Sequence, residues 1–240
     1  MAVIELKNLT KKYNEVYAVD HLNIEVPQGH IYAFLGSNGA GKTTTIKMMT
    51  GQLNPSEGEV RFLGRNIWQD REARRIAGYA PDVPLLHEGL TAREMIRFVG
   101  ALYDSNEDIN KRVDTLLEHF DLADKADQLI KEYSLGMKRK VSIACALIHR
   151  PRILLLDEVT NGLDPKATRE VKNYIRHFAK EEGGTVFITT HILDIVEELA
   201  DTISILHKGK IKVTGSMEEL RQVAGNEEGR LEDIFLSAIE

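Results

Sequence analysis

The sequence predicts an α/β protein organised around a mainly parallel sheet. Three observations lead there. The apolar runs HIYAFLG, RILLLDE and TVFITTH have strand length and read as buried strands. Helical patterns lie between them, so strand and helix alternate as in a sheet joined by crossovers. From Leu90 to Arg150 the strand pattern disappears and only helices read, which marks an inserted helical block.

In chain order, AVIELKNL and LNIEV alternate polar and apolar residues, as half-buried strands do. HIYAFLG runs into a glycine-rich loop, and a helix follows from Gly41 to Met49 with Gly51 as its stop. EVRFLG and IAGYAP are further strands, the second ended by Pro81. Thr91 and Glu94 form a capping box that opens an amphipathic helix to about Tyr103. Asn110 to Phe120 and Leu135 to His149 are two more helices. A helix from Lys166 to Glu182 separates the last two buried runs, and strands return over Asp201 to Val213. The expected organisation is one unit, residues 1–240. Residues 1–82 and 151–240 form an α/β core with an antiparallel β subdomain, and 83–150 form the inserted helical subdomain.

Composition narrows the function. The chain is 42% hydrophobic and 28% charged, enough for a sizeable core in a soluble protein. A net charge of −6 argues against a general nucleic-acid binder. The single cysteine, Cys145, excludes an intrachain disulfide framework, suits the reducing cytosol and reads as a core thiol. The N-terminal MAVIELKNLT has no signal-peptide pattern, and no apolar run approaches the ~18 residues needed to cross a bilayer. Any membrane span is therefore expected from another chain.

GSNGAGKTT, Gly36 to Thr44, is the strongest motif. It fits G-x-x-x-x-G-K-[ST] between a strand and a helix. Backbone N–H groups of Gly36, Ser37, Asn38, Gly39, Ala40 and Gly41 can curl around phosphates where glycines remove Cβ atoms. The helix N-terminus adds a positive dipole end. Lys42 suits the β- and γ-phosphates, the Thr43 hydroxyl suits Mg²⁺, and Thr44 can support it through a further hydrogen bond. ILLLDE places Asp157 and Glu158 at a strand end, where ligands bind in parallel α/β sheets. Asp157 is expected to hold Mg²⁺ through water. Glu158, pointing the other way along the pleat, is the expected general base for an attacking water. His191 ends TVFITTH and can bond a γ-phosphate or that water.

These motifs together resemble the ATP-binding subunit of an ABC transporter, over nearly the whole chain. The resemblance implies a P-loop NTPase core of RecA-like type, ATP hydrolysis, ATP and Mg²⁺ as ligands, and a position on the cytoplasmic face of the cell membrane. It implies a homo- or heterodimer with two sandwiched ATP molecules driving a separate transmembrane permease. No nucleic-acid partner is expected. Each ATP is held by one subunit's phosphate loop and the other's serine-glycine signature at a helix start. Ser134 and Gly136 of YSLGMKRK match that signature, with Leu135 in place of a glycine and Met137 in place of the glutamine. The cations after it suit an anionic guest, although Lys140 reads as part of a solvated helix face. Tyr13 matches the adenine-stacking aromatic, Asp164 of NGLD the residue that communicates across the dimer, and His191 the switch histidine. Asp82 stands where the family has a glutamine. A carboxylate there reaches the metal through water and adds negative charge near phosphates. Asp82 and the chain end RLEDIFLSAIE resemble the prokaryotic exporter branch for drugs, antibiotics or polymers.

The segment from Asp82 to Leu90, proline-containing and partly apolar, is the expected permease surface. Three other readings compete. A soluble ABC-type ATPase of the ribosome or DNA repair usually has two cassettes or a long coiled coil, and neither is in this sequence. A kinase needs an acceptor site and an arginine lid, whereas Glu158 and the signature favour hydrolysis. A subunit that clamps ATP and hydrolyses it poorly is kept open by Asp82, Leu135 and Met137.

Overall fold

The computed structural model describes residues 2–103, 108–223, 225 and 229–239. Its elements run β1 (Ala2–Tyr13), β2 (Val16–Pro27), β3 (Ile31–Gly36), α1 (Lys42–Met49), β4 (Glu57–Phe62), β5 (Arg65–Asn66), α2 (Arg71–Arg74) and β6 (Ala77–Ala80). Then come α3 (Ala92–Ala101), α4 (Ile109–His119), α5 (Leu135–Leu147), β7 (Ile153–Asp157) and α6 (Pro165–Lys180). The chain continues through β8 (Thr185–Thr190), α7 (Leu193–Leu199), β9 (Thr202–His207), β10 (Lys210–Gly215), α8 (Met217–Val223) and α9 (Leu231–Ile239). The α/β class and the antiparallel N-terminal sheet are as the sequence predicts. Helices α2, α7, α8 and α9 were not legible in it.

Two sheets carry these elements. β2-β1-β4-β5 form an antiparallel sheet, and β10-β9-β3-β8-β7-β6 form a second in which only β10 is antiparallel. The alternation of side chains explains why the parallel strands are apolar throughout. Along β3, Ile31, Ala33 and Leu35 face the helices, while Tyr32 and Phe34 face α1 and the antiparallel sheet. Along β7, Leu154 and Leu156 take the first face and Ile153 and Leu155 the second. Each strand thus serves two cores, and no position on it tolerates a charge until the strand ends.

The helical segment enters through the predicted capping box. Thr91 Oγ1 accepts from Glu94 N at 3.2 Å, and Glu94 Oε2 accepts from Thr91 N at 2.9 Å. α5 then lies directly on β6. A Cβ on Gly78 would sit 1.9 Å from the Ala146 carbonyl oxygen, so only glycine allows this approach. Beside it, His149 Nε2 donates to Ala77 O at 3.3 Å, and the His149 and Tyr103 rings stack at 3.9 Å. Arg75 lies over the Tyr103 ring at 5.4 Å. Cys145 lies half-buried on the same face of α5, its thiol pushed up to about 12 by burial and so inert.

Burial, with the Ala77 bond opposing it and the Arg75 charge adding to it, depresses His149 to about 4. Its unfolded value is about 6.5. Between those values the unfolded chain binds a proton that the folded chain refuses, so stability falls as pH falls. Acidification from pH 7 to 4.5 is expected to cost about 2–3 kcal/mol from this group. Denaturant titrations of the wild type and His149→Gln check it: the variant should show the flatter pH dependence across that window.

Candidate active site

Parallel register brings the predicted residues to one edge. Gly36 ends β3, Asp157 ends β7, Thr190 ends β8, and Ala80 ends β6, with Leu35 opposite Thr190 and Asp157 opposite Thr189. The four strands are neighbours, so the phosphate loop, the carboxylate pair, His191 and Asp82 all emerge on the same side. Gly39, Gly41, Lys42, Thr43, Asp82, Glu158 and His191 line one cleft of about 340 Å³, while Asp157 lies buried behind it and is not part of the lining. Asn38 and Thr44 line the cleft as well, and so do Asn161, the first residue of the NGLD motif, and Ala18, which no motif pointed to.

The loop that carries Lys42 is fixed by its backbone. Gly41 has φ 114°, and a Cβ there would lie 2.5 Å from the Ala18 carbonyl oxygen. Ala40 N donates to Ser37 O at 3.2 Å, and Ala40 O accepts from Gly209 N at 2.8 Å. The Lys42 ammonium is buried. It donates to Gly36 O at 2.6 Å and Ser37 O at 3.2 Å, and lies 3.0 Å from Glu158 Oε1. An ammonium has three protons, so all three are committed within the protein.

Glu158 does not continue the pleat as the sequence suggested. β7 ends at Asp157, and Glu158 has φ 51°, the left-handed region. The turn swings its carboxylate to Lys42 and to His191, whose Nδ1 is 3.0 Å from Oε2. Its main-chain oxygen accepts from Asn161 N at 3.0 Å and from Arg139 Nη1 at 2.7 Å. Asp157 stays in the sheet edge. Thr189 Oγ1 donates to its Oδ1 at 2.5 Å and Thr43 bonds it too, while burial holds its carboxyl above the usual range. Among the described residues no Lys, Arg or His pairs with it.

The remaining predicted residues lie elsewhere. Ser134 and Gly136 line a second cleft of about 300 Å³ that also takes in Asp164 and shares no residue with the first. Ser134 is the N-cap of α5, its Oγ accepting from Met137 N at 3.2 Å. Asp164 caps α6 by accepting from Ala167 N at 2.9 Å. Tyr13 stands half-exposed by the β1–β2 turn under Lys11 and is not part of either lining.

The cations after the signature correct the sequence reading. Lys140 is 7% exposed and paired with Glu170, not a solvated residue, because α5 packs that side against α6. Lys138 pairs with Glu88, and Arg139, 6% exposed, pairs with Asp82 at 3.1 Å. Each cation thus has an acidic partner inside the chain. Arg139 was missed as a site residue. The signal available was Asp82 itself, a charge at a strand end that needs a counter-charge.

A model of the ABC transporter family matches residues 19–161. The chain belongs to the ABC transporter family. It is 42% identical to the bacitracin transport ATP-binding protein BcrA of Bacillus licheniformis over 87% of this chain and 68% of that protein. It is 36% identical to the lantibiotic transport ATP-binding protein SrtF of Streptococcus pyogenes over 94% and 97%. A solved ATP-binding subunit of an ABC transporter superposes with TM-score 0.90 at 31% identity over 98% of this chain and 99% of that one. A dimeric ATP-binding cassette in a post-hydrolysis state with ADP and Pi superposes with TM-score 0.81 at 28% identity over 89% and 98%. The chain is accordingly an ATP-binding subunit of this family and an ATPase. The expectations of family, fold and activity are borne out, and the kinase and ribosome or DNA-repair readings are not favoured. No described helix is long and apolar enough to cross a membrane.

Proposed function

We propose that this chain hydrolyses ATP at the cytoplasmic face of a membrane, as one of a homo- or heterodimeric pair driving a separate permease in the export direction. The observation that carries the dimer is the separation of the two clefts. The phosphate loop and the signature residues share no lining, so neither cleft alone surrounds an ATP. Two copies facing each other would bring Ser134 and Gly136 of one to the phosphate loop of the other. Segment 83–150 is then the arm that carries the signature, and Asp164 lines the same face. Tyr13 is the residue we assign to the adenine.

Within one subunit the arriving phosphates exchange places with Glu158. Lys42 has no spare proton, and its two carbonyl bonds belong to the loop, so Glu158 is the partner that a phosphate replaces. Glu158 is then released beside His191, free to take a proton from water while the His191 ring holds that water or the γ-phosphate. The backbone N–H groups of the Gly36–Gly41 loop, other than that of Ala40, which is given to Ser37 O, are assigned to the anion together with Thr44. Mg²⁺ fits the residues present. Asp157 is a buried carboxylate with only hydroxyl partners, and Thr43 is one of them. Two oxygen donors suit an ion that keeps waters and takes phosphate oxygens. Bound there, it would neutralise charge on the phosphates. Asp82, whose Oδ1 is engaged by Arg139, is assigned at most a contact through water.

The permease is assigned to a cleft of about 450 Å³ between β6 and the helical segment, lined in part by Leu85, Leu86, Val99 and Tyr103. Val83, Leu85, Phe98 and Leu102 are exposed around it, an apolar surface that suits a partner helix. Relatives named for bacitracin and lantibiotic transport support export of a peptide antibiotic or similar drug. Pull-down of the tagged chain from detergent-solubilised membranes should recover a polytopic permease. Recovery of ribosomes or nucleic-acid proteins without one would move the function to the soluble ABC ATPases.

Two substitutions check the chemistry. Glu158→Gln should bind ATP and lose hydrolysis by at least ~100-fold, measured as phosphate release; near-normal turnover would end the general-base role. Ser134→Arg should leave ATP binding by the monomer intact and abolish the ATP-induced dimer on size exclusion. A dimer that still forms would show that YSLGMKRK has been misassigned.

A further inference from the structure

Arg139 joins two functional elements that the sequence sets far apart. It projects from the second turn of α5, just past the signature, and is almost fully buried. Nη1 donates to the main-chain oxygen of Glu158 at 2.7 Å, and Nη2 donates to Asp82 Oδ1 at 3.1 Å. Among the described residues its buried Nε has no hydrogen-bond partner, so the guanidinium is held there by these two acceptors.

Glu158 needs such a hold. Its φ of 51° is a conformation that residues with a side chain keep only when the surroundings fix it. That backbone turn is what aims the carboxylate at Lys42 and His191. Asn161 N fixes the carbonyl from within the turn, and Arg139 fixes it from the helical segment. The other end of the guanidinium rests on Asp82, a half-exposed residue on the loop that also carries Val83, Leu85 and Leu86 to the permease cleft. The planar fork of an arginine reaches both acceptors from two separate nitrogens, a geometry that the single ammonium of a lysine matches only in part.

We propose that Arg139 is a positioning residue that holds Glu158 in its hydrolytic orientation, and that Asp82 sets Arg139, so that movement of the 81–90 loop reaches the general base through the Asp82–Arg139–Glu158 chain. The proposal rests on the assignment of Glu158 as general base. It gives Asp82 a task distinct from metal ligation: its carboxylate is the counter-charge and stop for a buried guanidinium.

The test is a double-mutant cycle on the full-length chain with Asp82→Asn, Arg139→Gln, the double variant and Arg139→Lys. Steady-state ATPase gives kcat and KM, a fluorescent ATP analogue gives affinity, and an Mg²⁺ titration gives the half-saturating metal. Each single change is expected to lower kcat by about tenfold with KM and ATP affinity within about threefold. The double variant should be no slower than Arg139→Gln, Arg139→Lys should recover part of the loss, and the Mg²⁺ requirement of Asp82→Asn should match wild type. Losses that multiply in the double variant, a kcat within about threefold of wild type in both singles, or an Asp82→Asn defect repaired by Mg²⁺ would each overturn the proposal. If Arg139→Gln does not fold, Asp82→Asn at its half-exposed site decides alone by the kcat and Mg²⁺ criteria. A dead Glu158→Gln beside a normal Arg139→Gln sinks this relay only, whereas a fully active Glu158→Gln sinks the general-base assignment on which it rests.

Discussion

The parallel ladder of β3, β8, β7 and β6 is the constraint from which the rest follows. Parallel strands must all end on the same side, so whatever follows each one is delivered to a common edge. The strands are buried on both faces, which forces them to be apolar and confines chemistry to their ends. Gly36, Asp157, Thr190 and Ala80 are those ends. Residues up to 155 apart in sequence, Gly36 and His191 among them, thereby become neighbours without any contact being specified individually.

At that edge charge is closed upon itself. Lys42 and Glu158 are both under a tenth exposed and pair at 3.0 Å. A buried pair adds little net stability, since desolvation offsets attraction, but losing one partner strands a charge at a cost of ~3–5 kcal/mol. The protein therefore holds Glu158 safely only while Lys42 faces it. On the function proposed above, a phosphate that accepts the Lys42 hydrogen bond in place of Glu158 would also free the carboxylate, linking substrate arrival to readiness for proton transfer. Asp157 differs. It has hydroxyl partners and, among the described residues, no paired cation, and burial raises its carboxyl.

What was legible in the sequence was local. The phosphate loop is contiguous, and its glycines answer to backbone needs such as φ 114° at Gly41. The Thr91–Glu94 capping box is likewise complete within four residues. What was illegible depended on distance. Lys140 looked like a surface cation because Glu170 lies in another helix, and Arg139 looked idle because Asp82 is 57 residues away. The turn at Glu158 could not be read either, because glutamate has no preference for the left-handed region. Its main-chain groups are bonded by Arg139, Asn161 and Thr189, all from outside the residue.

The glycines separate what this chain needs from what its neighbour needs. Gly78 and Gly41 are dictated from within, by the Ala146 and Ala18 carbonyl oxygens that a Cβ would strike. Gly136 is different. It has no positive φ, and a Cβ there would meet Ala167 and Leu163 at 3.5 and 3.6 Å, ordinary contact distances. Nothing in the fold of this subunit asks for glycine at that position, yet it sits in the first turn of α5 beside an exposed, capping Ser134. On the dimeric reading, the demand comes from the phosphate group brought by the other subunit, and Gly136 is the point at which this chain's sequence is shaped by a ligand it does not itself hold.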